Sequence, residues 1–151
     1  DDCHLALRGL RTVPLRLEQH WRAGLQLGEW LQAQPEAASV IHPAMPHDPG
    51  FALWERDFRG AGGLFAFQLA ETVSSPAHVA ALVDDLALYG IGFSWGGFQS
   101  MILPATPQRT ATPWPKPGGP AGRLIRVYAG LEDPDDLIDD LAEGFRRLRA
   151  V

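Results

Sequence analysis

The residue type best suited to bind a substrate is an arginine in a predicted strand near the end of the chain. Arg126 lies in the predicted strand from Leu124 to Ala129, where alternation places it on the same face as Leu124 and Tyr128. The planar guanidinium group can bind a carboxylate through two parallel hydrogen bonds. The residue types leave two interpretations open, a buried anion clamp or a solvated arginine on an open sheet face.

A second feature is the long run from Leu86 to Gln108, which contains no ionisable acid or base. Glycines and serines interrupt it too often for a membrane helix, so we predict a strand, a tight glycine-rich loop and another strand. Ser94 and Trp95 lie in this loop. Because loops on soluble domains usually carry charge, we expect that something covers it. The residue types favour a buried hairpin with an aromatic plug, and a ligand site is the alternative.

Other chemistries lack the residues that they need. The glycines that begin at Gly90 are not spaced as in a dinucleotide-binding fingerprint, and a predicted strand follows them instead of a helix. His42, His47 and the lone Cys3 do not form a zinc pattern, and both histidines are expected to be solvated in a loop. We therefore predict no metal site.

Composition and charge exclude several classes of protein. A chain of 151 residues with 46% apolar residues is predicted to form one domain, and a net charge of -5 without a basic cluster argues against nucleic-acid binding. One cysteine favours a reducing compartment, and neither a signal peptide nor a transmembrane segment is visible. We expect a cytoplasmic protein with no membrane partner. The only lysine, Lys116, lies in a proline-glycine turn, so a buried Schiff-base lysine has no candidate.

Hydrophobic periodicity and turn signals predict the order of helices and strands. Residues 1–34 are expected to be mainly helical, with a kink or a joint at Pro14 and an apolar stripe formed by Leu10, Val13, Leu17, Trp21 and Leu25. Further helices are predicted at Phe51–Phe58, after Ser75-Pro76 and after Asp133-Pro134. Strands are predicted at Ala38–His42, Leu64–Leu69, Tyr89–Ser94, Ser100–Leu103 and Leu124–Ala129.

Two other regions complete this prediction. The irregular, proline-rich excursion Pro104–Gly122 is typical of a lid, a binding loop or a mobile segment. The last helix has acids at its start and arginines at its end, which complements the helix dipole and indicates a role in stability, not catalysis. The whole pattern predicts an α+β fold, a mostly antiparallel sheet of four to five strands with helices on one face.

Several segments, taken in order, resemble the C-terminal domain of cystathionine β-lyases, in the Cys/Met-metabolism family of pyridoxal phosphate (PLP) enzymes. The matching segments are Leu7–Thr12, Arg56–Phe65, Phe93–Phe98, Leu124–Arg126 and Gly130–Ile138. The resemblance implies that residues 1–151 are the small domain of a fold-type I carbon-sulfur lyase. It also implies that 1–34 are a helical connector from a large PLP-binding domain, which is expected upstream as a missing partner.

The resemblance also implies the site. Arg126 binds the substrate α-carboxylate, the loop with Ser94 and Trp95 lies against the same carboxylate, and this chain holds no catalytic residue because the PLP lysine is in the other domain. The implied reaction of the full-length enzyme is α,β-elimination of cystathionine to homocysteine, pyruvate and ammonia, in methionine biosynthesis or transsulfuration. Family enzymes assemble as homo-oligomers, and the fragment alone is predicted to bind no PLP and to be inactive.

Some residues depart from the family pattern, and a second function stays open. Phe93 stands where β-lyases often have tyrosine, Gln99 replaces a common glutamate and Tyr128 a common histidine. The sequence alone does not separate β-lyases from γ-lyases or γ-synthases, although Ser-Trp-Gly-Gly favours a β-lyase. The alternative is a free-standing α+β module that binds an amino acid or mediates assembly without catalysis. If the chain is a domain of a larger enzyme, it should expose apolar surface that the full protein covers, and the isolated chain should self-associate.

Overall fold

The computed structural model describes residues 1–111 and 121–151, which fold around one five-stranded sheet. Lys116 and the centre of the predicted Pro104–Gly122 excursion lie outside the described residues. The helices of the described part are α1 (Asp2–Leu10), α2 (Val13–Gln32), α3 (Phe51–Asp57), α4 (Pro76–Val83) and α5 (Pro134–Leu148). The strands are β1 (Ala37–Ile41), β2 (Leu64–Leu69), β3 (Gly90–Ile91), β4 (Met101–Ala105) and β5 (Leu124–Tyr128).

The sheet has the strand order β1-β2-β5-β4-β3 and is antiparallel except at one edge. The central strand β5 pairs with β2 and β4, and Arg126 lies opposite Ala66 on one side and Leu103 on the other. The two-residue strand β3 pairs with β4 in parallel, with Gly90 opposite Met101. The predicted buried hairpin is therefore wrong. Its first strand is much shorter than Tyr89–Ser94, and parallel strands cannot be joined by a tight hairpin turn.

Three helices cover one face of the sheet and form the core with it. The inward-facing residues of the three central strands, Phe67, Ile102, Ile125 and Val127, are fully buried. They pack in one cluster with apolar residues of α2, α4 and α5, among which Leu27, Leu31, Leu82, Leu137, Leu141 and Phe145 are also fully buried. This arrangement confirms the predicted α+β class, because an antiparallel sheet can bury one face and leave the other open.

Helix starts follow the signals seen in the sequence. The Ser75 hydroxyl accepts a hydrogen bond from the backbone N–H of His78, and the Asp133 carboxylate accepts one from the N–H of Asp135. Each cap is followed by a proline in the first turn, where the missing N–H costs nothing. The caps and the spacing of the buried residues of α5 therefore fix both helices locally.

The N-terminal region consists of two helices joined at Arg11 and Thr12, as Pro14 in the first turn of α2 predicted. The predicted apolar stripe is not the buried face. Leu10 and Leu17 are 62% and 50% exposed, whereas α2 buries a different set, His20, Ala23, Gly24, Leu27, Gly28 and Leu31. Small residues on that face let α2 approach the sheet closely. In the described residues, no helix has both the length and the apolar character that a bilayer span requires.

Candidate functional site

Arg126 lies at the middle of β5, on the sheet face opposite the helices, and its side chain is half-buried. Its Nη2 atom donates a hydrogen bond to the Gly92 carbonyl oxygen at 3.2 Å, and its guanidinium carbon lies 5.7 Å from the centre of the Phe93 ring. No carboxylate of the described residues forms an ion pair with it. The other N–H groups of the planar guanidinium are therefore free to bind a carboxylate from outside this part of the chain.

The segment from Gly92 to Gln99, here called the glycine loop, connects β3 to β4 beside Arg126. Ser94 and Trp95 directly follow the two residues that Arg126 contacts, and both are exposed. The aromatic side chains do not form the predicted plug, because Phe93, Trp95 and Phe98 are 77%, 66% and 77% exposed. Large exposed aromatic groups on a loop are typical of surfaces that bind another molecule or domain.

Hydrogen bonds donated by β5 and the following turn hold the backbone of the glycine loop. Besides the bond from Arg126, the Tyr128 hydroxyl donates to the Gly97 carbonyl oxygen at 2.9 Å. The backbone N–H of Leu131 donates to the Phe98 carbonyl oxygen at 2.8 Å. The strand that carries the arginine thus also positions the loop beside it.

Tyr128 is 4% exposed and lies against the buried His20 of α2, with the ring centres 5.3 Å apart. Nδ1 of His20 is 2.9 Å and 3.0 Å from the carbonyl oxygens of Ala129 and Gly130, which only accept hydrogen bonds, so this nitrogen carries the hydrogen. Both ring nitrogens are 3.2 Å from the Tyr128 oxygen. Burial raises the pKa of Tyr128, so the hydroxyl keeps its hydrogen.

A second set of bonds fixes the end of the glycine loop. The fully buried Ser100 donates from its hydroxyl to Glu132 at 2.8 Å, and its N–H donates to the other carboxylate oxygen at 2.9 Å. The Ser100 hydroxyl accepts a bond from the N–H of Gly130 at 2.8 Å. Only glycine fits at 130, because a Cβ atom there would collide with the Phe98 carbonyl oxygen and the Glu132 carboxylate.

Two cavities lie along α2. The smaller, about 380 Å³, lies between α2 and the glycine loop and is lined by Arg16, His20, Trp95 and Tyr128, among others. The larger, about 880 Å³, is a groove between α2 and α3, with Leu17, Trp21, His42, Leu53, Trp54 and Phe58 among its lining residues. Its walls are mainly apolar, and three of these side chains, Leu17, Leu53 and Phe58, are at least half exposed.

His42 lines this groove and is 1% exposed, so the prediction of a solvated histidine is wrong for it. Its Nδ1 accepts a hydrogen bond from the N–H of Ala44, and burial lowers its pKa and keeps the ring neutral. Nε2 therefore carries a hydrogen that has no acceptor among the described residues, and the same is true of Nε1 of Trp21. His47, which is exposed, matches the prediction.

Sequence reasoning named Arg126, Ser94 and Trp95, and the structure brings the arginine to the start of the loop that carries the other two. It missed Tyr128, His20, Ser100 and Glu132 as supports of the loop. Their partners are backbone groups and residues distant in sequence, so no local pattern shows them. No cluster of His, Cys, Asp or Glu that could hold a metal ion occurs within residues 1–111 and 121–151.

Comparison with known proteins adds independent information. The family model described as "Cys/Met metabolism PLP-dependent enzyme" matches residues 1–146. Curated cystathionine β-lyases of Bordetella avium and Salmonella typhimurium are 48% and 42% identical, over 97% and 98% of this chain. A solved cystathionine γ-synthase of Xanthomonas oryzae pv. oryzae, in complex with cystathionine, superposes with a TM-score of 0.82 at 33% identity over 97% of the chain.

The chain spans only part of these relatives, 36% and 38% of the two β-lyases and 38% of the γ-synthase chain. The match nevertheless covers both the core of the sheet and the residues around Arg126 and the glycine loop. The resemblance seen in the sequence is therefore confirmed, and this chain belongs to the Cys/Met-metabolism family of PLP-dependent enzymes.

Proposed function

We propose that this chain is the small domain of a cystathionine β-lyase and supplies the binding site for the substrate α-carboxylate. One observation carries the proposal. Arg126 is held by its strand at the centre of the sheet face opposite the helices, and no carboxylate of the described residues neutralises it. A half-buried guanidinium without an internal carboxylate is typical of a site that receives an anion from another molecule.

The surroundings of Arg126 favour a carboxylate over a larger anion. Its neighbours across the sheet are the small Ala66 and the apolar Leu103, which lower the local dielectric and strengthen a charge-assisted pair. The bond to Gly92 and the Phe93 ring restrict the orientation of the guanidinium, so less rotamer entropy is lost when the carboxylate binds. Ser94 and Trp95 then close the site from the loop, as the family resemblance implies.

The described residues do not fit PLP itself, because none of them is a lysine. In the full-length enzyme the cofactor would supply an electron sink for carbanion chemistry from another domain. The part played by this chain is therefore to bind and orient the amino-acid substrate. We propose that the chain alone neither forms a covalent adduct with PLP nor cleaves cystathionine.

Exposed apolar groups support a docking role for the N-terminal region. Leu5, Leu7 and Leu10 of α1 are 61%, 61% and 62% exposed. Helix α1 comes directly before α2 in the chain, and α2 forms one wall of the groove between α2 and α3. Water-exposed leucines on one short helix are costly unless another domain covers them. We propose that residues 1–34 connect to and pack against the PLP-binding domain in a cytoplasmic homo-oligomer.

The β-elimination specificity is part of the proposal. Identity is higher to the two cystathionine β-lyases, at 48% and 42%, than to the γ-synthase of known structure, at 33%. The products distinguish the reactions chemically. Cleavage of the β-carbon to sulfur bond of cystathionine leaves homocysteine, pyruvate and ammonia, whereas cleavage on the γ side leaves a four-carbon keto acid.

The test is steady-state kinetics of the full-length protein with cystathionine, with pyruvate as the measured product. A charge-assisted hydrogen-bonded pair contributes about 1.5–3 kcal/mol, so Arg126→Ala should lower kcat/KM by about one to two decades. Arg126→Lys should restore activity only in part, because an ammonium cannot make the bidentate contact. Arg123→Ala is the control, because Arg123 immediately precedes the strand that carries Arg126 and its side chain instead donates to the Thr106 hydroxyl. An unchanged kcat/KM for Arg126→Ala would refute the proposed role.

A further inference from the structure

The Tyr128 hydroxyl is a buried polar group that the proposed carboxylate contact does not use. It lies on the same face of β5 as Arg126, two residues further along, and donates to the Gly97 carbonyl oxygen at 2.9 Å. Gly97 follows Ser94 and Trp95 by only a few residues. This bond therefore links the strand that carries the arginine to the far side of the loop that completes the site.

We propose that Tyr128, backed by His20, is a positioning residue that holds the glycine loop in the conformation that receives the substrate carboxylate. The inference rests on the proposed function for its catalytic consequence. The positioning of the loop itself is a property of this chain and can be measured without any substrate.

Side-chain packing does not hold the loop at the point where Tyr128 binds it. A Cβ atom built on Gly96 or Gly97 would meet no atom within 4 Å, so no neighbouring group packs on the side of the backbone where a side chain would lie. Every residue from Phe93 to Gln99 is exposed. Glycine backbones have the greatest conformational freedom of any residue, so such a loop needs fixed hydrogen bonds to keep one conformation.

His20 makes Tyr128 a rigid donor. The Nδ1–H of His20 points to the carbonyl oxygens of Ala129 and Gly130, which fixes the imidazole ring against the end of β5. The tyrosine ring packs on that imidazole, and its hydroxyl oxygen lies 3.2 Å from both ring nitrogens. A ring clamped in this way has few alternative rotamers, so the hydroxyl keeps its direction toward Gly97.

Two other bonds hold the ends of the loop and do not replace this one. The bond from Arg126 reaches Gly92 at the start, and the bond from the Leu131 N–H reaches Phe98 near the end. Within the described structure, Tyr128 provides the side-chain bond that reaches the segment between them. Its loss should therefore free Ser94, Trp95 and Gly96 while the ends of the loop stay attached.

The first test uses Tyr128→Phe in the 151-residue chain, which keeps the ring and removes only the hydroxyl. Backbone ¹⁵N relaxation should show that the order parameters of Ser94 to Gly97 fall from about 0.85 to below about 0.6. Tyr89→Phe is the matched control, because the Tyr89 hydroxyl is also buried but donates to the Leu137 carbonyl oxygen of α5 at 3.2 Å. Equal loop order parameters in both variants would overturn the inference.

A measurement on the unaltered chain covers the case in which Tyr128→Phe does not fold. The hydroxyl hydrogen of Tyr128 should exchange with water slowly enough to be seen in the NMR spectrum, because it is buried and bonded. Rapid exchange of this hydrogen, in a chain whose core amides are protected, would overturn the inference without any substitution.

The catalytic consequence is tested in the full-length enzyme. Tyr128→Phe should raise KM for cystathionine about three- to tenfold and change kcat less than about twofold, because a preorganised loop contributes to substrate binding. Tyr89→Phe should leave both constants unchanged. A mobile loop with an unchanged KM would overturn the positioning role. An unchanged kcat/KM of the Arg126→Ala enzyme, by contrast, would refute the carboxylate proposal. It would leave the loop measurement in force.

Discussion

The hydroxyl of Ser100 should make a large contribution to stability for a single oxygen atom. Ser100 is fully buried immediately before β4, where its hydroxyl donates to Glu132 and accepts from the N–H of Gly130, both at 2.8 Å. Ser100→Ala removes both bonds. The backbone bond from the Ser100 N–H to Glu132 remains, so the carboxylate keeps one protein partner.

The magnitude follows from what each lost bond leaves behind. A hydrogen bond to a charged group contributes about 1.5–3 kcal/mol. Because Glu132 is half-exposed, water can replace the lost bond and restore part of this free energy. The buried Gly130 N–H cannot reach water as easily, and an unsatisfied buried donor costs about 1–3 kcal/mol. The free energy of unfolding should therefore fall by about 2–3 kcal/mol.

Urea denaturation followed by circular dichroism measures this change. The midpoint should shift to lower urea with an unchanged m value, because the surface exposed on unfolding stays the same. Ser39→Ala in β1 is the control, since Ser39 is half-buried and its hydroxyl forms no bond within the described structure. Its free energy of unfolding should change by less than about 0.5 kcal/mol. A Ser100→Ala protein as stable as Ser39→Ala would refute the reasoning.

Two further predictions concern backbone conformation and charge. Gly96 has a φ of 82°, and a Cβ atom there would meet no other atom, so Gly96→Ala should lower the free energy of unfolding by about 1–2 kcal/mol through backbone strain alone. At Gly97 a Cβ atom also has space but φ is not positive, so Gly97→Ala should lose little thermal stability. The hydrogen bond from Arg149 lowers the pKa of the Glu36 carboxyl below its usual 4.5. The pair therefore stabilises the fold above about pH 5 and loses this effect as pH falls through the lowered pKa, so Arg149→Ala should flatten the acid limb of a stability-pH profile.

Local patterns predicted much of the fold because they act over a few residues. The caps at Ser75 and Asp133 and the apolar spacing of α5 determine helices that need no distant partner to be recognised. The alternation of β5 placed Arg126 and Tyr128 on one face correctly. The family segments, including Ser94 and Trp95, supplied the candidate site before any contact was known.

The predictions from sequence were wrong about how the short strand β3 pairs and about which face of α2 is buried. Two residues, Gly90 and Ile91, carry no pattern that distinguishes a parallel from an antiparallel partner, so the path of the whole chain decides their pairing. His42 is likewise buried because α2 packs against the loop that follows β1. The prolines near His42 in the sequence indicate only a loop and do not show this burial.

The sequence by itself determined the starts of α4 and α5, the α+β class, the family resemblance and the strand face on which Arg126 lies. Only the tertiary structure decided that Tyr128, Ser100 and Glu132 hold the glycine loop beside Arg126. The physical reason is that these bonds join residues about 30 positions apart in the chain, or end on backbone carbonyl groups that every residue has. Such bonds exist only after the sheet has brought β4, β5 and the following turn together.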